Sequence, residues 1–226
     1  MDADTRRNYQ MKLKNTKNTI NSYLKNRDMK IEFSSGDSLQ GFTKDPVLAF
    51  TICLLIEYIM HPIKIHAGIG NGEIYVMDKT EGSNANDGPA YHSAANSLEI
   101  SKKTSRELVV SFESSMDDFL NQILALIERI KLRNTEKQNF YLSLFCYLQL
   151  FDFNYEIISN IIGDHEIHNL DSLNANVQNH ASFISKAFET TLQNTYDMLK
   201  KSDAQIVCES YFICIDYLKN LSIRRE

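Results

Sequence analysis

Four groups of residues carry side chains or backbone suited to chemistry. Asp37 follows Gly36 in Ser34-Ser35-Gly36-Asp37, a turn between two short runs of strand character. A carboxylate there can hold a hard cation, or it can hydrogen-bond its own backbone, as turn aspartates commonly do. Gly68, Gly70 and Gly72 stand two apart in Ala67-Gly68-Ile69-Gly70-Asn71-Gly72. That spacing suits either a backbone cradle for a phosphate or a tight hairpin. No helix starts directly after Gly72, so the dinucleotide-binding reading of Gly-x-Gly fails. Asp87-Gly88-Pro89-Ala90-Tyr91-His92 sets Asp87, Tyr91 and His92 around a helix start beside a glycine turn. The plain alternative is Asp87 as a cap and His92 bonded inside. Asp164-His165-x-x-His168 has metal-like spacing, but it lies in a loop without cysteine partners. No order or spacing matches a Ser/His/Asp or Cys/His constellation.

The elements that must position these groups follow from pattern. Seven of the eight glycines and all three prolines fall between Gly36 and Pro89, so the tight turns are concentrated there. A polar helix is expected from Thr5 to Asn26. Met29–Phe33 alternates as a half-buried strand does, and Ser38–Phe42 returns as a short partner. Asp45-Pro46 starts a helix that runs to His61, apolar almost all round and therefore buried against a sheet. Ile63–Ile65 and the residues up to Tyr75 read as two short strands joined through the glycine turn. Ala90–Ser101 reads as a helix and Glu107–Phe112 as a last strand. Such alternation indicates an α/β layer.

Beyond Ser114-Ser115 every segment is helical in period. Asp117 and Asp118 fall in the first turn of the next helix, where they favour its dipole. Further helices are expected at Thr135–Leu150, Tyr155–Ile162, His180–Lys200 and Ala204–Leu221, with a loop from about 163 to 179. The expected division is an α/β domain over 1–114, a connecting helix over 115–134 and a helical domain over 135–226.

Composition narrows the functions. A chain of 226 residues with 43% hydrophobic and 23% charged residues falls in the ordinary globular range. Its formal charge of −5 gives no general attraction for nucleic acid or anionic membrane. Up to Ser114 the acidic and basic residues balance at fourteen each, and after it fifteen acidic face ten basic. The four cysteines, Cys53, Cys146, Cys208 and Cys214, lie in apolar surroundings and read as reduced core thiols. The most apolar run, Val47–Met60, is 14 residues long and contains Glu57, whereas a bilayer span needs about 20. With no targeting segment visible at Met1, the expected location is cytoplasmic.

Three stretches resemble the SatD family in order and spacing. They are Ser35-Gly36-Asp37-Ser38-Leu39-Gln40-Gly41-Phe42, then Ala67-Gly68-Ile69-Gly70-Asn71-Gly72-Glu73-Ile74, then Asn86-Asp87-Gly88-Pro89-Ala90-Tyr91-His92. The last is the most specific, and the resemblance covers about residues 5–200. It implies a ferredoxin-like, class III nucleotide-cyclase-like sandwich, followed by an all-α helix-turn-helix-like domain. It makes Gly36, Asp37, Gly68, Gly70, Gly72, Asp87, Tyr91 and His92 candidates for binding a nucleotide, and Asp37 a candidate ligand for Mg²⁺. Paired carboxylates bridging Mg²⁺ suit phosphoryl chemistry by neutralising charge on the phosphate.

The chain also departs from that pattern. The family begins with a strand ending in Gly-Asp-Ile, whereas here only Asp2 and Asp4 stand near the start and the first strand is expected to be missing. Ser38-Leu39 replaces Glu-Phe, and Ser93 and Ala95 replace basic residues. These losses imply a degenerate domain in a regulatory or sensing protein rather than a working enzyme. A metal-dependent nucleotidyl cyclase and a protein–protein assembly module are the alternatives. In the helical domain, Thr135 opens the first helix, Tyr155–Gly163 matches the second helix and its turn, and His180–Ala187 would be the recognition helix. Ser182, Ser185 and Lys186 are its candidates for DNA. Lys186 is the only cation between Lys137 and Lys200, so DNA affinity is expected to be weak. A missing central strand leads us to expect a gap flanked by Ile63–Ala67 and Met29–Phe33, with low stability or homo-oligomerisation.

Overall fold

The computed structural model describes residues 3–75, 87–152, 154–162 and 179–223. Asp2, the Asp78–Asn86 part of the expected polar loop, and the Asp164, His165 and His168 group lie outside the described residues. The chain divides into two compact units, Met1–Ala125 with Leu218–Glu226, and Leu126–Tyr217. The first is mixed α/β with small sheets and the second is helical.

In the first unit, α1 (Ala3–Tyr23) leads into the antiparallel hairpin of β1 (Lys30–Ser35) and β2 (Ser38–Phe42). Ile31 pairs with Gly41 and Phe33 with Leu39, and an irregularity between Phe33 and Ser35 precedes the turn. Helix α2 (Pro46–Met60) starts where the Asp45 carboxylate accepts from the N–H groups of Val47 and Leu48, with Pro46 at the first helical position. It buries Leu48, Phe50, Ile52, Leu54, Leu55, Tyr58, Ile59 and Met60 and packs against α1 and β3. Each such side chain is worth about 1.5–3 kcal/mol when fully buried, so α2 is the core element of this unit.

Strand β3 (Ala67–Gly70) pairs in parallel with β4 (Leu108–Ser111), and α3 (Pro89–Lys103) packs over both. Ile63–Ile65 is therefore not the strand: the strand begins at Ala67, and Gly68 and Gly70 lie inside it rather than in a turn. No second strand follows up to Tyr75. The reason is the helix on top. A Cβ at Gly68 would run into Leu98 N and one at Gly70 into Ala94 N, so bare backbone is what lets α3 lie flat on β3.

The strands form two separate pairs, β1–β2 and β3–β4. Asn21 on α1 holds Ile31 on β1 at both its N–H and its C=O, each at 2.8 Å. Asn121 on α4 (Asp117–Arg133) does the same for Val110 on β4, and Asp117 accepts from the N–H of Phe112 at 2.8 Å. The β1 edge is thus bonded at Ile31.

The second unit contains the end of α4, then α5 (Glu136–Leu150), α6 (Tyr155–Ile162), α7 (His180–Ala187), α8 (Leu192–Lys201) and most of α9 (Ala204–Ile223). Thr135 and Gln138 form a reciprocal capping box at the start of α5. Phe140 and Tyr141 each meet Phe188 at 5.3 Å between ring centroids, beside buried Phe183 and Ile184. The single helix expected over His180–Lys200 is two. Glu189 takes a positive φ of 45°, and Thr191 then caps α8 by accepting from the N–H of Asn194. Among the described residues, no helix is long and apolar enough to cross a membrane.

Candidate functional site

Asp37 lies at the tip of the β1–β2 hairpin, where Gly36 adopts φ 55° with open space around its Cα. Its carboxylate is exposed to solvent. The side chain it acts on is Tyr9 of α1, whose phenol is pushed above its ordinary pKa by burial first and by the Asp37 charge second. Among the described residues, no group of three His, Cys, Asp or Glu could hold a metal ion. Asp4 is exposed in the first turn of α1, and Asp2 lies outside the described residues.

The second and third motifs interlock. Gly88, at φ 139°, sits so close to Glu73 that a Cβ would meet its carbonyl oxygen at 2.5 Å. A Cβ at Gly72, at φ 151°, would meet Ala90 N at 2.7 Å and Pro89 Cβ at 2.9 Å. Two hydrogen bonds tie the strands of chain together: Tyr75 N–H donates to Asp87 O at 2.9 Å, and Ala90 N–H to Glu73 O at 3.2 Å. Gly68, Gly70, Gly72 and Gly88 are thereby used for close approach between β3, its exit and the start of α3. No described hydrogen bond or ion pair joins Asp37 to this group.

Asp87 and His92 meet at the surface. The Asp87 Oδ1 atom accepts from Gly88 N–H at 2.7 Å and lies 3.1 Å from His92 Nε2. Both side chains are mostly exposed, and Gly88, not Asp87, is the N-cap residue of α3. His92 is thus bonded outside rather than inside. An imidazole steadied by a carboxylate is the base-and-orienter part of a nucleophilic relay. Among the described residues, no Ser or Cys side chain is bonded to that imidazole. Tyr91 is half-buried on the first turn of α3.

On α7, Ser185 is buried and its hydroxyl donates to Ser182 O at 2.9 Å. The Ser182 N–H is held by the Asn179 side chain at 3.1 Å. Lys186 is exposed and is the one candidate of the three with a charge to offer a phosphate. Ala181, Phe183, Ile184 and Ala187 face the interior, which leaves this two-turn helix a narrow outer surface.

Several groups escape a reading of the sequence. Asn21 and Asn121 are polar residues on helices, and nothing in their periodicity marks them as strand partners. His66 places Nδ1 2.6 Å from Arg106 O, and Ser101 donates to the same oxygen at 2.8 Å, fixing the entry to β3. In the helical unit an open groove of about 560 Å³ is lined by Phe145, Gln149, His180, Tyr196, Leu199 and Lys200, among others. The His180 pKa is lowered by burial there.

The model of the SatD family matches residues 2–156. That match contains all three glycine-rich stretches and ends within α6, so α7 lies beyond it. No curated protein and no solved structure matches the chain.

Proposed function

We propose, from the premise that this chain belongs to the SatD family, that it is a regulatory or sensing protein without catalytic turnover of its own. Its α/β unit is a degenerate, ferredoxin-like relative of the nucleotide cyclase domain, and its helical unit derives from a helix-turn-helix. It works in the cytoplasm. The observation that carries the reading is that the motif residues fall in two separate strand pairs among the described residues. Asp37 stands exposed at the tip of the β1–β2 hairpin, while Gly68 and Gly70 lie in β3, where their bare backbone seats α3. Phosphoryl transfer needs carboxylate, metal and phosphate held together within a few ångströms, and among the described residues no hydrogen bond or ion pair draws Asp37 to those glycines.

Ligand binding without turnover falls to the interlocked Gly72, Asp87, Gly88 and His92 surface. The test is a thermal-shift screen of the full chain against purine nucleotides, with and without Mg²⁺, followed by a turnover assay for each hit. A stabilising nucleotide recovered unchanged supports the reading. Conversion of ATP or GTP to a cyclic or diphosphate product at a rate proportional to protein overturns it. In the helical unit, exposed Lys186, with Ser182 and Ser185 preceding it on α7, is a weak DNA contact at most. Gel-shift at low salt with random duplex tests that, and binding that survives physiological salt would contradict the charge argument.

A further inference from the structure

Two two-stranded sheets have four outer edges, and the α/β unit treats them unequally. Asn21 closes the β1 edge at Ile31 and Asn121 closes the β4 edge at Val110. The β3 edge is four residues long, and α3 lies against its glycines. The β2 edge has none of these protections. Because Ile31 turns its N–H and C=O outward to Asn21, the Ile31–Gly41 couple is a non-hydrogen-bonded pair. Gly41 and, two residues earlier, Leu39 must then turn their own backbone groups outward on the far side. Among the described residues nothing bonds them.

We propose that this β2 edge is an interface that pairs with the β2 edge of a second copy of the chain, antiparallel across a two-fold axis at Gln40. The pattern is self-complementary. Leu39 of one copy meets the partner's Gly41, and Gly41 meets the partner's Leu39, so both couples exchange N–H···O bonds while the two Gln40 residues face each other. Each Leu39 side chain lies beside a residue without one. Ser38–Phe42 carries no charge, proline or bulge, the devices by which strand edges are kept from pairing. The flanks match in charge. Antiparallel pairing in this register sets exposed Asp37 opposite Thr43 and next to exposed Lys44 of the partner, once on each side of the axis. Asp37 thereby acquires a role as a pairing charge.

The interface is short, so the association is reversible and concentration-dependent. Sedimentation velocity of the full chain over a wide concentration range reads it directly. Wild type is expected to pass from monomer to dimer. Leu39→Pro removes one outward N–H that the hairpin does not use, a position where an edge strand tolerates proline, and should abolish the dimer with circular dichroism unchanged. Lys44→Glu should weaken the dimer at least several-fold, and adding Asp37→Lys to it should restore wild-type association. A chain that stays monomeric throughout, a dimer that persists in folded Leu39→Pro, or a charge swap that fails to rescue would each overturn the proposal. Because Leu39→Pro could instead unfold the hairpin, the swap pair is decisive by itself.

Discussion

Asn121 on α4 returns to Val110 on β4 and holds both of its backbone groups, accepting from the N–H at 3.0 Å and donating to the C=O at 2.8 Å. A primary amide has one donor face and one acceptor face, the same pair that a neighbouring strand would present. One side chain therefore closes a strand edge at one residue. Asn21 repeats the device at Ile31, from a different helix and in the other sheet.

Removing either amide leaves a backbone N–H and C=O without their partners. Asn121→Ala and Asn21→Ala should each cost about 1–3 kcal/mol in urea unfolding. Asn18→Ala, on the exposed side of α1, should stay within about 0.5 kcal/mol of wild type. Equal costs at Asn18 and Asn21 would show that the edge bonds carry no weight.

Gly70→Ala drives a methyl group into the backbone of α3 at Ser93 and Ala94, which cannot move as a side chain could. Overpacking of this kind costs about 1–3 kcal/mol or more. Gly36→Ala meets open space and bears only the strain of φ 55°, about 1 kcal/mol. Thermal melts should rank the two accordingly. The reverse ranking would mean that Gly70 serves something other than contact with α3.

Burial favours neutral His180 in the fold, so its folded pKa lies below the ordinary 6.5 while the unfolded chain keeps that value. As pH falls the unfolded state takes up the proton first. The stability that depends on neutral His180 is whole above about pH 6.5 and is lost as pH falls through the folded pKa. His180→Phe keeps the ring against Phe145 and removes the titration. From about pH 7.5 down to about pH 5 the urea midpoint of wild type should fall relative to that of His180→Phe. A constant difference across that range would sink it.

Cys146, Cys208 and Cys214 are buried, and burial pushes the Cys53 and Cys214 thiols up to about 12. Glu57 adds to the effect at Cys53. A thiolate reagent at mildly alkaline pH should therefore label the native chain far more slowly than the denatured one, where all four thiols react. Rapid labelling of one native thiol would contradict the packing described.

Helix type and extent were legible wherever local chemistry is self-sufficient. Asp45-Pro46 starts α2, the apolar run fixes its burial, and Tyr155–Ile162 has the bounds its period indicates. The mixed first half and helical second half follow from the same patterns, and the three glycine-rich stretches carry the family. What the sequence could not decide is what those glycines touch. An isolated Gly-x-Gly-x-Gly is compatible with a turn, a phosphate cradle or a strand under a helix. Only the arrival of α3, about twenty residues later in the chain, selects the last. The break at Glu189 and the pairing of Asp87 with His92 depend likewise on neighbours brought in by folding. So does the closing of two strand edges by asparagines, because a side-chain amide on a helix has no periodic signature, and its partner is chosen by the packing of that helix rather than by its own sequence.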